Sequence, residues 1–139
     1  VCMLVCSSEF AEKNGLEPLA RIVTSAVTGC PPDMMGIGPI SSTQKALERS
    51  GWDIDDIDIF EINEAFSSQS IAVINELSID YQKVNIDGGA ISIGHPLGAS
   101  GARIVGKAAS ILDRTNSERA IATMCIGGGM GITIVLERP

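Results

Sequence analysis

Near its end the chain carries two apolar runs, RAIATMC (Arg119 to Cys125) and GITIVLE (Gly131 to Glu137), on either side of the glycines Gly127 to Gly129. A join this short and this rich in glycine favours neighbouring, antiparallel strands, and such a pair is stable only if other elements cover its apolar faces. The rest of the chain offers those elements. VCMLVCSS (Val1 to Ser8), LARIVTSAV (Leu19 to Val27) and DDIDIFEI (Asp55 to Ile62) have the length and apolar content of strands. Between them, SEFAEKNGL reads as a helix capped by Gly15, and ISSTQKALERSG as one closed by Gly51, with Ile40, Ala46 and Leu47 on one side. TGCPPDMMGIGP, with three prolines and three glycines, reads as a loop.

Helical spacing returns from Ala65 to Leu77, through Phe66, Ile71, Val73, Ile74 and Leu77. It returns again from Ser100 to Leu112, through Ile104, Val105, Ala108, Ala109, Ile111 and Leu112. The order β-α-β-α-β-α-α-β-β predicts an α/β architecture in which helices cover a mixed five-stranded sheet. No repeat, low-complexity tract or linker divides the 139 residues, which suit one domain, 1–139.

A formal net charge of −7 argues against nucleic-acid and acidic-membrane partners, because the field repels phosphate at long range. No apolar stretch approaches the roughly 20 residues of a spanning helix, and VCMLVC lacks the basic flank and cleavage site of a signal peptide. The chain therefore reads as cytoplasmic. It begins at Val1 inside an apolar run and reads as a piece of something longer. Cys2, Cys6, Cys30 and Cys125 form no CxxC pair, and one histidine gives no repeated ligand spacing, so no metal site is expected. Reduced thiols are expected, with Cys2 and Cys6 sharing the core face of the first strand.

Three short groups invite a chemical reading. EINEAF (Glu61 to Phe66) stands where a strand gives way to a helix, the end of an α/β sheet at which ligands bind. Asn63 there could orient a water or a carbonyl. It could equally cap the following helix, with Glu64 at the positive end of the dipole and Phe66 in the core. The second group holds the only histidine, His95, in ISIGHPLGASGA. Gly94 permits close approach of a substrate, Pro96 biases His95 towards extended backbone, and Gly98 and Gly101 keep bulk away before a helix. A lone histidine is also an ordinary surface or core residue, and both readings stand. The third group is ATMCIGGGMG. Cys125 at a strand exit, followed by open glycine N–H groups, has the parts of an acid/base thiol beside an oxyanion hole. The same string also describes a small buried residue and a flexible hairpin.

Together the groups say more than any one of them. NEAF, then GGA and GHPLGASGAR, then CIGGGMG, in that order, resemble the C-terminal half of the thiolase family, the acetyl-CoA acyltransferases. MGIGP and KALERSG extend the resemblance over practically the whole chain. It implies a thiolase-like α/β half and reversible Claisen chemistry on acyl-CoA thioesters, with no tightly bound cofactor and with acyl-CoA and CoA as partners. It also implies an N-terminal half that carries the nucleophilic cysteine and is not part of this chain, and a homo-oligomer.

Residue by residue, the resemblance gives His95 the proton of that cysteine and then a donor role towards the second thioester. Asn63 would hold a water that completes this oxyanion hole. Cys125 would move a proton to and from the acetyl-CoA methyl, and the Gly127 N–H would face the acyl-enzyme. Phe66, with Ala65 beside it, would line the pantetheine tunnel. The isolated chain is expected to be inactive, since Cys2, Cys6 and Cys30 lie in no motif that substitutes for the nucleophile. The alternatives are another condensing enzyme of the thiolase superfamily, a non-catalytic binding domain of the same fold, and a stand-alone Cys-His hydrolase.

Overall fold

The computed structural model describes residues 1–139. Its framework is a four-stranded sheet built from β1 (Arg21–Gly29), β2 (Ile59–Ile62), β3 (Arg119–Ile126) and β4 (Met130–Glu137), in the spatial order β1-β4-β3-β2. The expected hairpin is present: β3 and β4 pair antiparallel, from Arg119 opposite Glu137 to Ile126 opposite Met130. β1 adds to β4 antiparallel, and β2 adds to β3 in parallel, so the sheet is mixed. A parallel pair needs a crossover. Here it contains α3 (Ser67–Glu76), the single turn α4 (Ala90–Ile93) and α5 (Leu97–Thr115).

Strand alternation divides the core between the two faces of the sheet. Phe60, Ile62, Ile121 and Val135 pack with Ala46 and Leu47 of α2 (Gly38–Ser50) and with Val73 and Ile74 of α3. Ile59, Ala120, Ala122 and Leu136 pack with Ile104, Ala108, Ile111 and Leu112 of α5. The helical periods read from the sequence therefore mark the buried faces. Pro39 opens α2 in its first turn, and Gly51, at φ +72°, closes it by donating its N–H to the Leu47 carbonyl. A buried hydroxyl cluster fastens α2 to the sheet: Thr133 Oγ1 lies 2.7 Å from Ser42 Oγ, 3.1 Å from Thr43 Oγ1 and 2.7 Å from Thr123 Oγ1. Thr123 in turn donates to the Ile132 carbonyl.

Four strands replace the five expected. Residues 1–7 form no strand, and Val1, Leu4 and Val5 are exposed. Apolar content marks a strand only if an edge accepts its hydrogen bonds. This run instead passes the flank of α5, where Met3 Sδ lies over Gly106, and a helix flank has no free backbone groups to offer. Cys2 and Cys6 are accordingly exposed rather than packed in a core. A short helix α1 (Ser8–Lys13) follows, capped by Ser7 Oγ, with Gly15 at φ +62° just beyond its Asn14 end. Of DDIDIFEI only Ile59–Ile62 is strand, preceded by a 3-10 turn at Ile54–Asp56. α5 begins at Leu97, so Gly98 and Gly101 lie inside the helix rather than in the loop before it.

Close approach of two glycines seats α2 on the hairpin. A Cβ at Gly38 would overlap the backbone of Gly131 and Met130, and one at Gly131 would overlap Gly38 and Pro39. Gly131→Ala should therefore destabilise the fold by about 1–3 kcal/mol, the range for overpacking a well-filled core. The check is the urea midpoint of the variant, and an unchanged midpoint would show that the contact is not tight.

Candidate active site

The parallel ladder of β2 and β3 runs on by one rung past β2, where the Asn63 N–H donates to the Thr123 carbonyl at 2.9 Å. That rung sets Asn63 beside the end of β3, two residues short of Cys125. α3 starts only at Ser67 with Phe66 in the cap position, so Asn63 does not cap it. Glu64 serves a different helix from the one expected: it accepts from Asn85 Nδ2 at 2.9 Å and from the Ile91 N–H in α4 at 2.8 Å.

His95 reaches the same place from the turn between α4 and α5. Gly94 makes that turn at φ +90°, ψ 168°, a conformation that strains any residue with a Cβ. The hydrogen bonds then assign every proton around the imidazole. Arg103 Nη2 can only donate, and it meets Asn63 Oδ1 at 3.2 Å. The other end of that amide, Nδ2, therefore faces His95 Nε2 at 3.3 Å and donates to it. Nε2 carries a lone pair and no proton, so the ring proton is on Nδ1, which donates to Ser100 Oγ at 2.6 Å. Ser100 passes its own proton to the Pro96 carbonyl at 3.1 Å. Asn63 and Ser100 are fully buried, which protects both ends of the chain from water.

Cys125 is a free, half-buried thiol on the strand face that carries Thr123. Burial pushes its pKa above the usual thiol range, a hydrogen bond to its own backbone opposes this, and the Cys30 thiol adds a small further rise. No cation offsets the burial, so at neutral pH the group is a protonated thiol able to donate. Just beyond it, the N–H groups of Gly127, Gly128 and Gly129 make no backbone hydrogen bond, and space is open around Gly127. The Gly129 carbonyl is held by the Cys30 N–H at 2.7 Å, which steadies the turn.

These groups border one cleft of about 580 Å³, with His95, Cys125 and Gly127 on its walls and Ala65 and Phe66 beside them. The volume suits a small-molecule ligand. Phe66 is 60% exposed at the rim, not in the core. Of the six residues to which the resemblance gives a role, Asn63 alone lies outside the lining, behind His95. Reading the sequence missed Ser100 and Arg103, although both lie in GHPLGASGAR. Their signal is spacing: Ser100 sits one helical turn past Pro96 and Arg103 nearly one turn further, on the face of α5 that meets β2. Met35 and Gly36, in the loop before α2, complete the cleft wall. A second hollow, at the far end of the sheet, is lined by Asp56, Asp58, Glu118, Arg119, Glu137 and Arg138 and contains none of the residues of the three groups.

Residues 16–138 match the family described as "Thiolase, C-terminal domain". The chain belongs to that family. It is 47% identical over 137 residues to an acetyl-CoA acetyltransferase of Chromobacterium violaceum, an alignment that takes in 99% of this chain and 35% of the relative. It is 49% identical over 128 residues to a cytosolic acetyl-CoA acetyltransferase of Mus musculus, covering 92% of this chain and 32% of that one. Among solved structures, human mitochondrial 3-ketoacyl-CoA thiolase in complex with CoA superposes with a TM-score of 0.92 at 42% identity, over 95% of this chain and 34% of its own. The thiolase C-terminal domain thus spans about a third of the length of the relatives it matches.

A cost is built in beneath this site. Glu61 of β2 is fully buried with both carboxylate oxygens unpaired, and burial pushes its pKa up to about 7, against the pull of Arg103 and Lys107. Between about pH 4.5 and 7 the folded chain holds a proton that the unfolded chain has released, so stability falls as pH rises through that window. At roughly 1.4 kcal/mol per pKa unit, the loss is on the order of 3 kcal/mol. Glu61→Gln should remove this slope, gaining on the parent chain as urea unfolding is repeated from pH 5 to pH 8. A stability difference that does not change with pH would contradict the assignment.

Proposed function

We propose that the chain supplies the acid/base half of an acyltransferase active site that makes and breaks the carbon–carbon bond of 3-ketoacyl-CoA thioesters, as part of an acetyl-CoA acetyltransferase. The observation that carries the reading is the cleft itself: an imidazole whose Nε2 is kept free of a proton by the Asn63 amide and a protonated thiol border the same space, beside unpaired glycine N–H groups.

In this reading a cysteine of a preceding half of the enzyme displaces the Asn63 amide from His95 Nε2 and gives that nitrogen its thiol proton as its sulfur attacks the acyl carbonyl. Protonated Nε2 can no longer accept from Asn63 Nδ2. It becomes a donor for the oxygen of the second thioester, while the freed Asn63 amide holds a water at the same oxygen. In the thiolytic direction the carbon–carbon bond breaks, the acyl group stays on the nucleophilic cysteine, and Cys125 Sγ–H protonates the acetyl-CoA enolate at carbon. In the condensing direction acylation of the nucleophilic cysteine by acetyl-CoA expels the CoA thiolate, which takes the Cys125 Sγ–H proton and leaves as CoA. The Cys125 thiolate left behind removes the methyl proton of the second acetyl-CoA, and its raised pKa makes it the stronger base. The Gly127 N–H faces the oxygen of the acyl-enzyme.

Exposed Phe66, with Ala65, is offered to the pantetheine arm, and the support is an apolar ring lying open at the cleft rim. The reading also takes the enzyme to be cytoplasmic, homo-oligomeric and engaged in fatty acid metabolism. No helix is long and apolar enough to cross a membrane, and the Mus musculus relative is named cytosolic.

The test uses the full-length enzyme. Cys125→Ala should abolish acetoacetyl-CoA synthesis while acylation by acetyl-CoA continues, and His95→Ala should slow acylation by about 10²–10⁴-fold, the usual contribution of a positioned base. Acylation by the His95→Ala variant at the parent rate would remove histidine from the role. The 139-residue chain alone should show no thiolysis.

A further inference from the structure

Glu61 looks towards α5 from β2, on the same strand face as Ile59 and Asn63. Neither of its oxygens has a hydrogen-bond partner, although no part of the side chain is exposed. The guanidinium of Arg103 has a matching deficit: its Nη2 donates to Asn63 Oδ1, while its Nε is buried and unpaired. Nε–H and the neighbouring Nη2 hydrogen form a fork that fits a carboxylate, and the second Nη2 hydrogen stays free for Asn63. Arg103 is also the foremost cation acting on the Glu61 carboxyl.

We propose that Glu61 is a positioning residue: its carboxylate pairs with the Nε edge of Arg103, holds the guanidinium on Asn63 Oδ1, and so fixes which end of the Asn63 amide meets His95. The surrounding charges leave Arg103 as its partner. Lys107, one turn further along α5, is engaged by Asp87 at 2.6 Å, and Glu64 is occupied by Asn85 and the Ile91 N–H. β3 places uncharged Ala122 opposite Glu61. With Glu61 ionised, Arg103 is clamped and Asn63 presents Nδ2 to His95. With Glu61 protonated, the clamp slackens, the amide can turn over, and Oδ1 then favours a proton on Nε2. Such a ring cannot act as a base there. A carboxylate whose burial costs stability as pH rises towards 7 is then retained for what it does to Arg103.

The inference rests on the base role proposed for His95 only for its catalytic meaning, because the imidazole itself reports the arrangement. His95 is the only histidine, so ¹⁵N-histidine labelling of the chain gives one ring spectrum. At a pH where the ring is neutral and Glu61 is ionised, the parent chain should show the Nδ1–H tautomer. Glu61→Met, which keeps length and apolar burial but offers no acceptor, should shift the tautomer ratio towards Nε2–H by roughly tenfold, the loss of one charge-assisted hydrogen bond. Arg103→Met should shift it in the same direction, and Glu61→Gln, which keeps one acceptor, should fall between. A folded Glu61→Met or Arg103→Met chain with the parent ratio overturns the proposal, as does a parent ring protonated on Nε2. Failure of the full-length enzyme to turn over acyl-CoA would count against the proposed function and leave these ring spectra unaffected.

Discussion

One backbone hydrogen bond, from the Asn63 N–H to the Thr123 carbonyl, sets the geometry of the site. It extends the parallel pairing of β2 and β3 beyond β2 and places the side chain of Asn63 where two polar chains meet. On one side Arg103 fixes the orientation of the amide, and on the other the amide fixes His95. The same pairing aligns β3 so that Cys125 emerges beside that imidazole, at the carboxyl end of parallel strands, where open α/β sheets bind ligands. Slipping this register by one residue would turn Asn63 to the opposite face and dismantle the site.

The fold supports this rung from both faces by different means. Towards α5 the packing is apolar except where Glu61 and Asn63 of β2 and its extension meet Ser100 and Arg103 of the helix. Towards α2 the Ser42, Thr43, Thr123 and Thr133 hydroxyls satisfy one another, so the strand end below Cys125 is fixed by directional bonds as well as by packing. The glycine pair Gly38 and Gly131 lets α2 approach closely enough for those bonds to form. Precision is thus concentrated under the cleft, while the rim residues Phe66 and Leu97 stay exposed and free of packing partners that would block a ligand.

Much of this was legible in the sequence, for identifiable reasons. Helical period located α2 and α5, Gly51 marked the end of α2, and the glycine join located the β3–β4 hairpin, because these signals are local. The first seven residues misled, since VCMLVC has the composition of a strand and composition says nothing about whether an edge is free to pair with it. At the site, His95, Cys125, Gly127, Ala65 and Phe66 gather at one cleft, as their motifs suggested. The helix-cap reading of Asn63 failed because the chain runs extended through Phe66 before α3 begins. Ser100 was readable only as helical spacing after Pro96, and its bonds to His95 and Pro96 are local. Arg103 went unread because its part is a bond to Asn63, 40 positions away, which no local pattern reports. Glu61 went unread because its burial on the face towards α5 shows only once β2 is placed in the sheet.

The central claim is that Cys125 carries the carbon-bound proton. It is tested most directly by hydrogen–deuterium exchange at the methyl group of acetyl-CoA in D2O, catalysed by the full-length enzyme and followed by mass spectrometry. Exchange should be rapid in the parent enzyme and absent in Cys125→Ala. Deuterium incorporation at the parent rate in that variant would contradict the account.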